Sequence, residues 1–254
     1  ERLKDWWGEN LPVNLGRNNF DHIRIDYYRD QTVALEAFKS GRYDLRSENT
    51  SLTWATGYDF PARRDGYVKL DEVQHARPTG MQAFVFNTRK PIFKDLELRR
   101  AIAYAFDFEW SNKNLFFGQY ARTKSFFSNS ELAATNLPSK EELVFLKPWR
   151  DKIPAQVFTQ IYDPPASDGS GNIRRNLRMA LRILKGAGYK IKENKAISPR
   201  TGAAVKFEIL LVSPAFERIA TPFVKNLSRL GIEANIRTVD QSQYINRVRS
   251  FDFD

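Results

Sequence analysis

Residues 81–118 constrain the fold of this chain more than any other stretch. An apolar run at 81–86 reads as a strand, and Lys90-Pro91 breaks it. Asp95 stands where a helix N-cap belongs, and Leu98, Ala101, Ile102 and Ala105 recur on one helical face. Asp107 repeats the capping signal for a second helix running to 117, and Gly118 is placed to take the left-handed conformation that ends it. Later segments follow the same alternation of types. Ile173, Leu177, Ala180, Leu181 and Leu184 form one face of a helix whose other sides carry Arg174, Arg175, Arg178 and Arg182. Val205, Phe207, Ile209 and Leu211 alternate as a strand; a helix opened by Pro214 and stopped by Gly231 leads to a further strand at Ile232, Ala234 and Ile236. Strand, helix and strand of these lengths imply a parallel pair joined by a crossover, hence an α/β chain.

The string Phe86-Asn87, Pro91 to Asp95, and Arg99-x-Ala-x-x-Tyr-Ala-x-Asp107 resembles the family-five extracellular solute-binding proteins, most of all the branch serving Yej-type peptide and microcin C importers. The set Ala180, Leu184, Ala187, Gly188, Tyr189 and the set Leu227, Leu230, Gly231, Ile232 are similar to two further family motifs, and Trp6-Trp7 resembles the family's segment ahead of its strand. The resemblance implies a periplasmic-binding-protein type II-like fold, two-lobed, with parallel or mixed sheets flanked by helices. Residues 1–80 would be the remaining part of the first lobe and 81–254 an incomplete second lobe, with a hinge near 77–82. The chain opens on Glu1 and closes on Phe251-Asp-Phe-Asp254, which reads as a strand just beginning, so a fragment of a longer receptor is expected.

Ahead of residue 81, Ile23, Ile25 and Tyr27 alternate as a strand, and a second is expected at 67–73. Asp30 is placed to cap a helix burying Val33, Ala34, Ala37 and Phe38, which Gly41 ends. Five prolines between 118 and 172 mark an irregular excursion.

Composition excludes several functions. Hydrophobic content of 42% with 13% aromatic residues is that of a folded chain, and the longest apolar runs fall far short of the roughly 20 residues of a membrane helix. Without cysteine there is no zinc-thiolate site, disulfide or cysteine nucleophile, and His22 and His75 lie far apart. The net charge of +10 invites a nucleic-acid reading, but the basic residues are interspersed with 30 acidic ones and pair only briefly, so no nucleic-acid partner is expected. No Gly-x-Ser-x-Gly elbow, phosphate loop, Gly-x-Gly-x-x-Gly or His-Glu-x-x-His is present. Asp252 and Asp254 are the carboxylate pair an unrecognised hydrolase or transferase would have to use.

Binding candidates come from the residues and the resemblance together. The stretch 48–57 follows an expected strand near Asp44 and is rich in hydroxyl, amide and aromatic groups. Glu48 could meet a ligand amine, Asn49 a peptide group and Trp54 an apolar side chain. By resemblance, Gln82 lies at the hinge, and the helix capped by Asp240 brings Gln243 and Tyr244 near the ligand, with Arg247 a partner for a ligand carboxylate. The implied protein is a periplasmic or extracytoplasmic monomer without catalytic residues, cofactor or metal. It would capture peptides or peptide-like solutes in an inter-lobe cleft and deliver them to the permease subunits of an ABC importer, without itself entering the membrane; the alternative within the family is a sugar or other small solute.

Overall fold

The structure, a computed structural model, describes residues 3–17 and 19–254; Glu1, Arg2 and Asn18, the last within the polar stretch 14–19, lie outside the described residues. The chain divides into two compact units, Glu1–Leu70 and Asp71–Asp254.

The first unit holds three short helices, α1 (Gln31–Lys39), α2 (Ser51–Thr56) and α3 (Pro61–Arg64). The Asp30 carboxylate accepts the Thr32 and Val33 N–H groups at 2.8 and 3.0 Å, supplying the cap expected of it. The buried face differs from the expected one: Ala34 and Leu35 are buried and Val33 is exposed. The reason is that Leu35 completes a small core with Tyr58 and Phe60, against which Phe38, Trp54, Val68 and Leu70 pack. The strands expected at 23–27, near 44 and at 67–73 form no ladder among the described residues, and the chain bends at Asp44, Tyr67 and Val68. Alternation specifies two faces, but a strand also needs a hydrogen-bonded neighbour, and Ile23, Ile25 and Tyr27 stay exposed.

In the second unit, Pro91–Lys94 make a 3-10 turn before α4 (Leu96–Ala103), followed by α5 (Phe108–Leu115). Asp95 accepts from the N–H groups of Glu97 and Leu98, and Asp107 from that of Trp110. Leu98, Ala101, Ile102 and Ala105 are all buried, and Gly118 sits at φ +73° after α5. The run 81–86 keeps the expected alternation but not the ladder: Phe84 packs on Phe223 at 4.9 Å between ring centroids and Phe86 on Phe93 at 5.0 Å, whereas Val85 is exposed. The excursion from 118 to 172 is largely irregular, yet it contains α6 (Lys140–Leu146) and α7 (Gln156–Thr159). Ser139 and Glu142 close a reciprocal capping box on α6.

α8 (Arg174–Gly186) packs against α4 and ends before a hairpin of β1 (Lys190–Lys192) and β2 (Lys195–Ile197). The hairpin turns on Glu193 and Asn194, both at positive φ, as the tightest hairpin connection requires. β3 (Lys206–Leu211) pairs in parallel with β4 (Glu233–Thr238), with Phe207 opposite Ala234 and Ile209 opposite Ile236. α9 (Glu217–Ser228) connects them and packs on β4, burying Ala220, Phe223 and Leu227. Leu98, Ile102, Ile173, Leu184, Leu227, Leu230 and Ile232 are among the deepest members of the shared core. Gly231 is held at φ +76°, and its carbonyl accepts the Ala196 N–H at 2.8 Å, tying hairpin to crossover.

α10 (Gln241–Arg249) follows β4 after two residues. Within the described residues the terminal stretch 251–254 belongs to no ladder. Phe251 lies at φ +56°, and Asn87 holds the stretch: its side-chain amide donates to the carbonyls of Phe251 and Phe253 and its backbone N–H to that of Asp254 at 2.7 Å.

Candidate functional site

In the first unit the expected contact segment is built on an internal ion pair. Arg46 and Glu48 lie two residues apart in extended chain, on the same side, and their side chains are 9% and 4% exposed. Glu48 Oε2 accepts from Arg46 Nη2 at 3.1 Å and from the Tyr58 hydroxyl at 3.2 Å, and Oε1 accepts the Thr50 N–H at 3.0 Å. Arg46 donates further to the hydroxyls of Tyr43 and Tyr58 and to Gln31 Oε1. Burial alone would raise the Glu48 carboxyl, but the Thr50 N–H and the Arg46 guanidinium outweigh it and hold the group below the usual carboxylate range. Burial also pushes the Tyr58 hydroxyl up. The carboxylate that was expected to meet a ligand amine is therefore already satisfied, and it fixes the entry to α2. Asn49 is exposed beside it. Trp54 is half-buried on α2, its ring edge-on to Tyr58 at 6.0 Å.

In the second unit, Gln82 is exposed on extended chain. Gln243 and Tyr244 occupy the first turn of α10, where the Gln243 N–H donates to the Asp240 carboxylate at 2.9 Å and the Tyr244 N–H to the Asp240 carbonyl. This turn follows directly on the carboxyl end of β4, and Ser213 and the Pro214 turn follow on that of β3. The carboxyl ends of neighbouring parallel strands are where α/β sheets place ligands. Thr238 and Glu217, joined at 2.5 Å at this same end, were missed in the sequence. The signal was there, a polar residue closing a parallel strand just ahead of a helix.

Arg247 is one helical turn further on and is engaged inside the chain. Its Nη1 meets Glu208 Oε1 at 2.9 Å, and its Nε meets the Asp252 carbonyl at 2.8 Å and the Asp252 carboxylate at 3.1 Å. Burial disfavours its charge, but Glu208 and Asp252 outweigh that and raise its pKa. Asp252 and Asp254 do not act as a pair. Asp252 joins Arg247, whereas Asp254 accepts the Glu208 N–H at 2.9 Å and lies 3.3 Å from Lys90 Nζ. Among the described residues no group of His, Cys, Asp or Glu is arranged to hold a metal ion, and no helix is long and apolar enough to cross a membrane.

The fold places this chain in a class. The solved periplasmic oligopeptide-binding protein of Thermotoga maritima matches it with a TM-score of 0.58 at 19% identity, over 100% of this chain and 42% of that one, which makes the fold that of the type II periplasmic binding proteins. The model of the bacterial extracellular solute-binding proteins, family 5, middle region, matches residues 1–254, and the chain belongs to that family. It is 46% identical over 256 residues to the probable peptide-binding protein YejA of Agrobacterium fabrum, and 46% identical over 253 residues to the uncharacterized protein YejA of Escherichia coli. All of this chain is covered in both cases, and it spans 42% of the length of each relative.

Proposed function

We propose that the protein is the substrate-binding receptor of an ABC importer, capturing peptides or peptide-like solutes outside the cytoplasm and handing them to permease subunits. The observation that carries this reading is the 46% identity, across the whole chain, to a relative described as a probable peptide-binding protein. The family's description as extracellular solute-binding proteins supports the extracytoplasmic location. Capture needs no bond-making step. It needs polar groups that meet peptide amides, tolerant apolar walls and a conformation that the solute stabilises.

In this reading Asn49, Trp54, Gln82, Gln243 and Tyr244 contact the solute. Glu48, whose charge is met within the chain, holds the entry to α2 in place, and Arg247, paired in the same way, ties the last turn of α10 to Glu208 and Asp252. The stretch 77–82 serves the complete receptor as its hinge, and the receptor works as a monomer.

The test is a thermal-shift screen of the protein at its natural length against short peptides of varied charge, with sugars and nucleic acid as comparison ligands. Saturable stabilisation by peptides is the expected result. Stabilisation by a sugar and by no peptide overturns the substrate class, and response to nucleic acid alone overturns the receptor reading.

A further inference from the structure

The arginines of α8 are all exposed, and two of them share a groove with an arginine from the end of α9. Arg174 and Arg178, one turn apart on α8, line a single groove of about 360 Å³ together with Arg229, which caps the end of α9. Leu177 and Leu181 line it too, Leu181 being 37% exposed at a position where the helical pattern called for burial. Among the described residues no acidic side chain lines the groove, and none of the three guanidiniums forms an ion pair. Arg229 has one long side-chain contact, 3.4 Å to Asn226 Oδ1. Some arginines elsewhere, such as Arg46, Arg100, Arg237 and Arg247, do meet a carboxylate; what distinguishes Arg174, Arg178 and Arg229 is that they converge on one groove.

Three like charges brought to one groove from two elements repel one another unless an anion sits among them. A monoanion answers one of the three charges. A phosphate monoester, with its near-double charge and three acceptor oxygens, suits several guanidinium forks at once. The leucine wall beside the guanidiniums suits the carbon portion of an ester. We infer that this groove is an anion site, separate from the solute-contact segments, that takes the phosphate of a phosphate monoester. The same chemistry is offered by an anionic lipid head group and by a free phosphate ester. The inference stands independently of the receptor reading.

The experiment uses the protein at its natural length and its R178Q/R229Q variant, both exposed positions, with melting curves to confirm folding. An R63Q/R64Q variant removes the same charge from α3. Binding is measured by flotation with phosphatidylcholine vesicles containing phosphatidic acid, against pure phosphatidylcholine, and by calorimetric titration with glycerol phosphate. The expected result is binding in at least one arm that weakens about tenfold or more in R178Q/R229Q and stays unchanged in R63Q/R64Q. Vesicle binding without glycerol phosphate binding assigns the lipid source, and the reverse assigns the free ester. Equal losses in the two variants reduce the effect to net charge and overturn the site. So does an absence of binding in both arms, or a preference for an acidic peptide such as polyglutamate over either phosphate ligand.

Discussion

Replacing Glu48 by alanine removes the acceptor around which the first unit's polar network is built. The carboxylate receives two guanidinium nitrogens of Arg46, the Tyr58 hydroxyl and the Thr50 N–H, and both members of the ion pair are nearly sealed from water. Breaking a buried pair by deleting one partner costs about 3–5 kcal/mol, because the other charge is stranded. Here Arg46 keeps the Tyr43 hydroxyl at 3.1 Å and Gln31 at 3.4 Å, so the loss belongs at the lower end, about 3 kcal/mol. Glu48→Gln, which keeps an acceptor but no charge, loses about 1–2 kcal/mol. Urea unfolding followed by tryptophan emission measures both, since urea leaves the ion pair unscreened and Trp54 lies against Tyr58. With a urea slope of about 1–3 kcal/mol per molar, the alanine variant's midpoint falls by about 1 M or more. The pH dependence gives a second reading. The folded carboxyl is held below its unfolded value of about 4.3, so its contribution is fully present above that pH and disappears as pH falls through the lower folded value. The wild-type advantage over Glu48→Gln is then constant near neutrality and shrinks below about pH 4. An alanine variant within about 0.5 kcal/mol of wild type, at every pH, would refute the network's role. If that variant also lost solute affinity, Glu48 would be a direct ligand contact after all.

Other consequences concern the second unit. Gly231→Ala forces a side chain onto a residue at φ +76°, with its Cβ 2.7 Å from the Ala196 nitrogen, so a loss of about 2 kcal/mol or more is expected in chemical denaturation. Asn87→Ala unties the carbonyls of Phe251 and Phe253, and limited proteolysis should cut near 250 sooner than in wild type. Tyr189 is pushed up to about 12 by burial and by the Asp95 carboxylate 3.0 Å from its hydroxyl. Its phenol should therefore resist ionisation in an ultraviolet titration until unfolding. The stability it contributes is complete below the unfolded value of about 10 and is lost as pH rises towards 12.

Local signals were legible where one residue type has one mechanical use. Asp30, Asp95, Asp107 and Asp240 cap helices because a short carboxylate ahead of an apolar face can satisfy the first free N–H groups. The apolar periodicity of α8, α9, β3 and β4 likewise marked the core. Strand status was over-read at 23–27 and 81–86, because alternation reports a burial pattern and says nothing of a partner strand. The hairpin of β1 and β2 was missed since Lys190, Ile191 and Lys192 are all exposed and Glu193-Asn194 lacks the usual glycine. At the candidate site, the pairing of Glu48 with Arg46 could have been read from their spacing of two in extended chain. That of Arg247 with Glu208 could not, since it depends on α10 returning beside β3 across 39 residues.

The proposed receptor function requires that a peptide be captured and left chemically unchanged. Its most direct test is a calorimetric titration of the natural-length protein with the peptide that most raises its melting temperature, followed by mass analysis of the recovered ligand. Saturable binding at one site and an intact peptide are the expected result. Heat without saturation, or a cleaved or modified peptide, would contradict it.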